Sequence, residues 1–538
     1  MALRKPISIK PGFRVMLKKC NNQIYFFQRK ELMSRKKYVY IVMFTSLTLL
    51  LSFSAWANES QKPKYSAKVP EFLLTPDKVE TELLGDLEFF DGMPSEATVQ
   101  KTYEFLDLSR GVSAFLSGMP AASIYAFLEG LKDAGLKPGD LGITEGLLDA
   151  RGLLLTAQST TPYALAEIDL KNGPVVVELP GPVLGTLDDA CFHFVSDVGL
   201  TGPDQGKGGK YLFIGPDYEG EIPEGYFVAK SKTYRHWLLM RVFVKDGDLE
   251  ASTKELKQGF RCYLLAEADK PPKQKVYDLS GKKFNTIHAN NERFYEELNA
   301  VIQYEPADAF NPELVGLFAS IGIKKGEPFA PDERMQKILK DAAAIGNATA
   351  RAITFNPRSK VAYFYPDRQW YSSFAGGSHE FMNNGELVLD DRIMFHYAAT
   401  GITPSMVTPK VGTGSVYAAS AKDNKGQYLD GGKTYKVTLP APIPVNNFWS
   451  YMVYSGQHRS MLETDQKSAG LDSTMPSVKP NQDGSYTVWF GPEAPEGHEG
   501  NWVQTIPGKS YLTILRLYGP LEPWFDKTWK PGDFELVE

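Results

Sequence analysis

Cysteine is nearly absent: the 538-residue chain has three, Cys20, Cys191 and Cys262. That count excludes a disulfide framework, although export would permit one bridge between Cys191 and Cys262. Cys191 lies in the apolar run Ala190-Cys191-Phe192-His193-Phe194 and reads as a small buried hydrophobe. Metal-ligand patterns are missing too. There is no Cys-x-x-Cys, no His-x-His and no His-Glu-x-x-His, so neither a metal nor another cofactor is expected. Asp423-Asn424-Lys425-Gly426 lacks the alternating oxygen ligands of a calcium loop and reads as a hairpin turn. The absence of Gly-x-Ser-x-Gly disfavours a nucleophile-elbow hydrolase. The glycine-rich stretch Gly202–Lys210 lacks Walker spacing and precedes a strand, so it is expected as a mobile loop rather than a phosphate cradle. No internal repeat with a period of roughly 20–50 residues is visible.

Basic charge is scarce once the first 57 residues are set aside. Those residues hold eleven Lys or Arg and one acid, Glu31. Removing them from totals of 59 and 64 leaves 48 basic and 63 acidic residues, a net charge of -15. A body that acidic repels phosphate backbones, so nucleic acid is not an expected partner.

The basic excess belongs to a leader. Arg35-Lys36-Lys37 precedes an apolar run from Tyr38 to Ser54, then Ala55-Trp56-Ala57, then polar residues. This is the order of a secretory signal peptide, with cleavage after Ala57 and Met33 as an alternative start. Thr45, Ser46, Thr48 and Ser52 interrupt the run, which suits a removable signal better than an anchor. The mature form is expected in the periplasm or secreted, with no stable membrane span.

With 43% apolar and 23% charged residues, the rest is a folded protein. Residues 58–94 read as a linker. Residues 95–135 carry helical periodicity, with a break at Gly118-Met119-Pro120 and a second helix over 121–131. From Leu147 to about Leu265 short apolar runs such as Val175-Val176-Val177 and Trp237-Leu238-Leu239-Met240 predict an antiparallel sheet. Helical periodicity returns over 292–302 and 332–351, with Asp332 as N-cap. A short helix over 392–400 is expected, capped by Asp390 and closed by Gly401. Residues 401–538 read as strands again, closing as a β-sandwich or jelly roll. The fold class is therefore α+β, in three stretches: 95–290, a helical connector over 291–400, and 401–538.

Two clusters carry candidate chemistry. His379, Asp391 and His396 could perform acid–base work, although Asp390 and Asp391 also suit a helix start. Trp370, Tyr371, Trp449, Tyr454, Asn501, Trp502, Arg516 and Tyr518 could form an aromatic and polar platform for a small polar ligand. The competing reading is core packing. A ligand would sit where the C-terminal strands meet the connector around Trp370–His396, because domain junctions favour concave sites.

The C-terminal motifs are more specific. Pro442-x-Pro444-x-Asn446-Asn447-Phe448-Trp449-Ser450-x-x-x-Tyr454, then Gly500-Asn501-Trp502, then Arg516-x-Tyr518-x-Pro520 resemble the bacterial family called domain of unknown function 1214. Leu165-x-x-Ile168-Asp169-Leu170, Gly173–Pro180 and Gly208-Gly209-Lys210-Tyr211-Leu212 resemble its usual companion, domain of unknown function 1254. One departure is clear. Many members carry Asn-x-Asp-Thr-x-Tyr where this chain reads Gln158-Ser159-Thr160-Thr161-Pro162-Tyr163. The resemblance implies architecture rather than a reaction. Two function classes follow: an exported hydrolase acting on a small polar or carbohydrate-like substrate, or a non-catalytic ligand-binding or assembly protein, which also admits a homo-oligomer. Acids and histidines with shifted pKa values converging on the largest cavity would favour the first; a flat apolar patch, or a pocket with aromatics only, would favour the second.

Overall fold

The computed structural model describes residues 65–374 and 377–537. The leader, its cleavage site and Met33 lie outside them. Two compact units divide the chain after Ser95. In the described part of the first unit, Lys78–Thr81, Gly85–Phe90 and Met93–Pro94 form a three-stranded antiparallel sheet. Part of the stretch expected as linker is therefore ordered. Leu83, Phe90 and Met93 are exposed on it.

The second unit begins with helix α1, Glu96–Asp133, followed by α2 (Leu249–Gly259), α3 (Arg293–Tyr304), α4 (Pro312–Ser320), α5 (Glu333–Phe355) and α6 (Leu389–Ala398). The break expected at Pro120 does not occur. α1 runs unbroken for 38 residues with Pro120 buried inside it. It is long and apolar enough to cross a membrane by length and composition, yet most of its apolar stretch is buried inside the protein. Packing outweighs the cost of a proline here. Gly118 lets Leu298 of α3 approach to where a Cβ would stand 2.8 Å from its Cδ2, and Gly111 faces Ala342 of α5 as closely. Leu298, Phe294, Leu339 and Ala342 then bury against Phe115 and Met119. Asp332 caps α5 as predicted, accepting from the Met335 N–H at 2.7 Å. Asp390 does not cap α6. It lies in the first turn and pairs with Arg358 at 2.7 Å. Nor does Gly401 close that helix, which ends at Ala398 with Ala399 as C-cap.

Two sheets follow α1. One has six strands in the order Val276–Asp278, Leu141–Ile143, Tyr163–Asp169, Arg235–Val242, Val183–Asp189, Phe194–Gly199. The other runs Phe227–Lys230, Gly209–Ile214, Val175–Leu179, Arg261–Leu264. Pairing is antiparallel as expected, except where Val276–Asp278 joins Leu141–Ile143 and Phe227–Lys230 joins Gly209–Ile214 in parallel. The 202–210 stretch is a turn built on buried Asp204, whose carboxylate accepts from the Tyr211 hydroxyl at 2.5 Å and the Gly208 N–H at 3.1 Å.

The C-terminal region holds two more four-stranded sheets. Ser415–Ser420, Tyr511–Pro520, Val445–Ser455 and Gly470–Asp472 make one; Trp502–Gln504, Tyr486–Gly491, Tyr435–Leu439 and Glu535–Leu536 make the other. Rings bridge them: Tyr451 meets Phe490 at 5.5 Å and Trp449 meets Tyr486 at 5.2 Å. The same apolar cluster continues through Phe395 of α6 to Leu165 and Trp237 of the six-stranded sheet. The second unit is thus α+β, and its six-stranded sheet shares one apolar cluster with the C-terminal sheets. Cys191 and Cys262 are separate free thiols, and Cys191 is buried.

Candidate functional site

A cavity of about 250 Å³ opens where three parts of this unit meet. The strands Tyr163–Asp169, Val183–Asp189 and Arg235–Val242 give one wall, through Tyr163, Leu184, Thr186, Leu239 and Arg241. The connector gives a second, through Tyr371, Phe374, Met394, Phe395 and Ala398. The strands Ser415–Ser420 and Tyr511–Pro520 give the third, through Tyr417, Leu512, Ile514 and Arg516. Gly401 also lines the cavity, where a Cβ would stand 2.7 Å from Leu239 Cδ2.

Among the described lining residues the only charged side chains are Arg241 and Arg516. Arg516 is 3% exposed. Its Nη2 donates to the Thr156 carbonyl and to the Tyr454 hydroxyl, both at 2.7 Å. Its buried Nη1 has no hydrogen-bond partner. Burial pulls the pKa of each guanidinium down, while the surrounding phenols (Tyr417, Tyr518 and Tyr163 for Arg241; Tyr454, Tyr518 and Tyr163 for Arg516) push it up, and the net direction is up. Burial raises the phenols of Tyr163 and Tyr454 in turn. At neutral pH they are neutral dipoles, not counter-charges.

Thr156 holds the junction together. Its φ of 39° is unusual for a β-branched residue. Four hydrogen bonds keep it there. Its N–H donates to the Arg459 carbonyl at 2.9 Å and its hydroxyl to the Ala398 carbonyl at 2.6 Å, while its carbonyl accepts from Arg516 and from Tyr454. A strained residue fixed by the connector and the C-terminal module and facing a cavity is a functional signal. Next to it, Gln158 folds back on its own loop, donating to the Thr161 carbonyl and hydroxyl at 2.8 and 2.7 Å.

The residues expected to act divide sharply. Arg516 and Tyr371 line the cavity, and Tyr454 orients Arg516 from behind. Tyr518 is buried in a stack 4.0 Å from Phe448. The others serve the core. Trp370 donates to the Gly532 carbonyl at 2.9 Å and Trp502 to that of Gly491 at 2.9 Å. Trp449 is 2% exposed among rings. Asn501 ties Lys479 to Thr487 through its amide, at 2.8 and 3.0 Å. None of His379, Asp391 and His396 lines the cavity, so their expected meeting with Arg516 does not occur there. His379 packs edge-on against Phe194. His396 is enclosed by Phe192, Phe381 and Phe395, donates from Nδ1 to the Arg392 carbonyl at 2.7 Å, and is pushed down to about 3 by burial. It is a neutral core ring.

Arg241, Gln158, Thr156 and Tyr417 were not foreseen. Arg241 had a signal: a lone charge inside the apolar strand Trp237-Leu238-Leu239-Met240-Arg241-Val242-Phe243. The 158–163 departure was another, because it supplies Gln158 and Tyr163 to the wall. Buried Asp188 lies behind the wall, accepting from the Ile402 N–H at 3.0 Å, with its carboxyl pushed well up by burial. One group among the described residues has metal-like spacing, Asp189, Cys191 and His193. Its arrangement follows from a turn: Asp189 accepts the backbone N–H groups of Cys191 and His193, each at 2.8 Å.

Comparison with known proteins places this site at a junction of named modules. The family described as Protein of unknown function (DUF1254) matches residues 139–264, and Protein of unknown function (DUF1214) matches residues 414–522. The chain carries both modules of the pair, in the expected order. Strands of both DUF modules line the cavity, and the connector between them closes it. The crystal structure of the VPA0106 protein from Vibrio parahaemolyticus is similar at 18% identity and a TM-score of 0.50, covering 80% of this chain and 100% of that one. That likeness concerns the fold alone. An uncharacterized protein from Burkholderia cenocepacia aligns at 12% identity and a TM-score of 0.35, over 81% of this chain and 96% of that one, a score that carries no argument. No curated protein matches the chain.

Proposed function

We propose that the protein is an extracytoplasmic binding protein for a small organic molecule, held in the cavity between its two modules. The observation that carries this is the composition of the wall: largely apolar, with hydroxyl, amide and guanidinium groups and, among the described residues, no carboxylate or histidine. Hydrolysis needs a base to activate water or a nucleophile; among the described serines and threonines of the wall only Thr201, Thr403 and Ser405, on Asp197, and Thr186, on Asp188, have a carboxylate partner, and neither acid lines the cavity. The binding reading needs only shape and a few oriented polar groups. At about 250 Å³ the cavity exceeds the roughly 150 Å³ apolar void that admits a benzene ring. The order of basic, apolar and small residues over 35–57 supports export. The rings joining the two C-terminal sheets support a sandwich as the scaffold for one wall.

Calorimetric screening of small organic compounds against the mature protein tests this, with Ala398→Trp as the blocked control. A compound should bind at one per chain, be lost in the variant, and come back chemically unchanged. Release of a cleaved product would overturn the binding reading, as would a cavity that takes no compound. Fractionation with N-terminal sequencing tests export: maturation is expected after Ala57, and a chain found only in the cytosol would refute it.

A further inference from the structure

The two arginines define the ligand more narrowly, on the premise that the cavity binds a small molecule. We infer that the ligand is an amphipathic organic anion, with an oxyanion head against Arg516 and Arg241 and an apolar body along Leu239, Phe395 and Leu512. Three observations converge. Arg516 is almost fully buried, faces the cavity, and has one buried nitrogen, Nη1, without a partner. A buried donor left unmade costs roughly 1–3 kcal/mol, more when it is charged, so such a group is retained where something else satisfies it. Arg241 lines the same cavity from the other module. No acidic side chain among the described lining residues neutralises either cation. A buried cation such as Arg516 without a counter-ion is costly, and an incoming anion removes that cost while gaining charge-assisted hydrogen bonds.

Arg516 is preorganised for this. Thr156 and Tyr454 occupy Nη2, fixing the guanidinium plane, while the buried Nη1 is left without a protein partner. The two Nη1 hydrogens suit a carboxylate, and a phosphate monoester offers the same oxygens. The remaining wall offers hydroxyls and one amide but is mostly apolar in surface, so a bare inorganic anion would leave most of the cavity unfilled. A head with a chain or ring of several carbons fills both parts.

The probes are octanoate, octyl phosphate, octanol and octylamine, titrated calorimetrically into the mature protein. Octanoate or octyl phosphate should bind at one per chain, and octanol roughly ten- to a hundredfold more weakly. The preferred anion identifies the head. Arg241→Gln, at a partly exposed position, should weaken the anion by a similar factor and octanol by much less. Arg516→Lys keeps the charge but loses Nη1, and should weaken the anion while the fold persists by circular dichroism. If octanol matches the anions, the cavity reading stands and the anion inference fails. Tighter binding of octylamine also overturns it. If none of the four binds, the anion inference fails, and the broader compound screen then decides whether the cavity reading survives.

Discussion

Arg516 and Tyr454 stand 2.7 Å apart on neighbouring strands of the C-terminal region, and the Tyr454 hydroxyl passes the contact on to the Ala157 carbonyl at 2.8 Å. One phenol thus accepts from the second module's arginine and donates to the first module's backbone. Both partners are buried. Tyr454→Phe removes the relay without changing the packed ring. Loss of the hydroxyl should cost about 1–3 kcal/mol, because it leaves buried polar groups unmet. Urea unfolding measures it, and a change below about 0.5 kcal/mol would show that water replaces the phenol.

That relay was only half visible in the sequence. Tyr454 and Arg516 stood out through motif and residue type, and both belong to the site. Thr156 was invisible: no local pattern announces a threonine in the left-handed region held by the connector and the C-terminal module. Arg241 sits within a run of apolar residues and reads at first as part of a core strand. The helices fared similarly. Asp332 caps α5 through a local contact, which sequence spacing captures. The continuity of α1 through Pro120 depends on α3 and α5, which lie far away in sequence. The candidate histidine of the connector failed for the same reason. Sequence places His396 near carboxylates on its own helix, while the fold surrounds it with Phe192, Phe381 and Phe395 from three segments.

Gly130 gives a prediction whose sign separates local from tertiary control. On helix propensity alone Gly130→Ala should stabilise α1 by about 1 kcal/mol. In the fold a Cβ there would press on the Asn285 carbonyl oxygen and stand 2.8 Å from Thr286 Cγ2. Backbone cannot yield cheaply, so net destabilisation of about 1–3 kcal/mol is expected. A raised melting temperature would mean that the strand at Phe284–Asn285 sits less tightly than described.

The Glu167–Arg235 pair is a second structural hinge. Arg235 Nε donates to Glu167 Oε1 at 2.6 Å, and its Nη2 lies 3.5 Å from Glu129 of α1. Burial pushes the Glu167 carboxyl up despite the arginine. Arg235→Met strands that carboxyl and should cost about 3–5 kcal/mol, whereas Arg235→Met with Glu167→Leu should recover most of the loss. Equal destabilisation of the single and double variants would refute this account of the pair.

The last prediction separates a core histidine from a catalytic one by pH. His396 is held near 3 by burial, against an ordinary value of 6.5. Between those values the unfolded chain binds a proton that the folded chain refuses. His396 therefore costs nothing above pH 6.5, and its penalty to stability grows as pH falls from 6.5 toward 3. The slope is about 1.4 kcal/mol per pH unit for one group. His396→Phe, placed among three phenylalanines, removes this titration. Urea midpoints should converge toward neutral pH up to a constant offset, and the variant should lose less stability than the wild type on acidification. The offset depends on how well the new ring packs; the difference in slope does not. Ligand binding near neutrality should persist in His396→Phe, because the ring does not line the cavity. Parallel acid limbs for the two proteins, or abolished binding in a fully folded variant, would return His396 to the functional site.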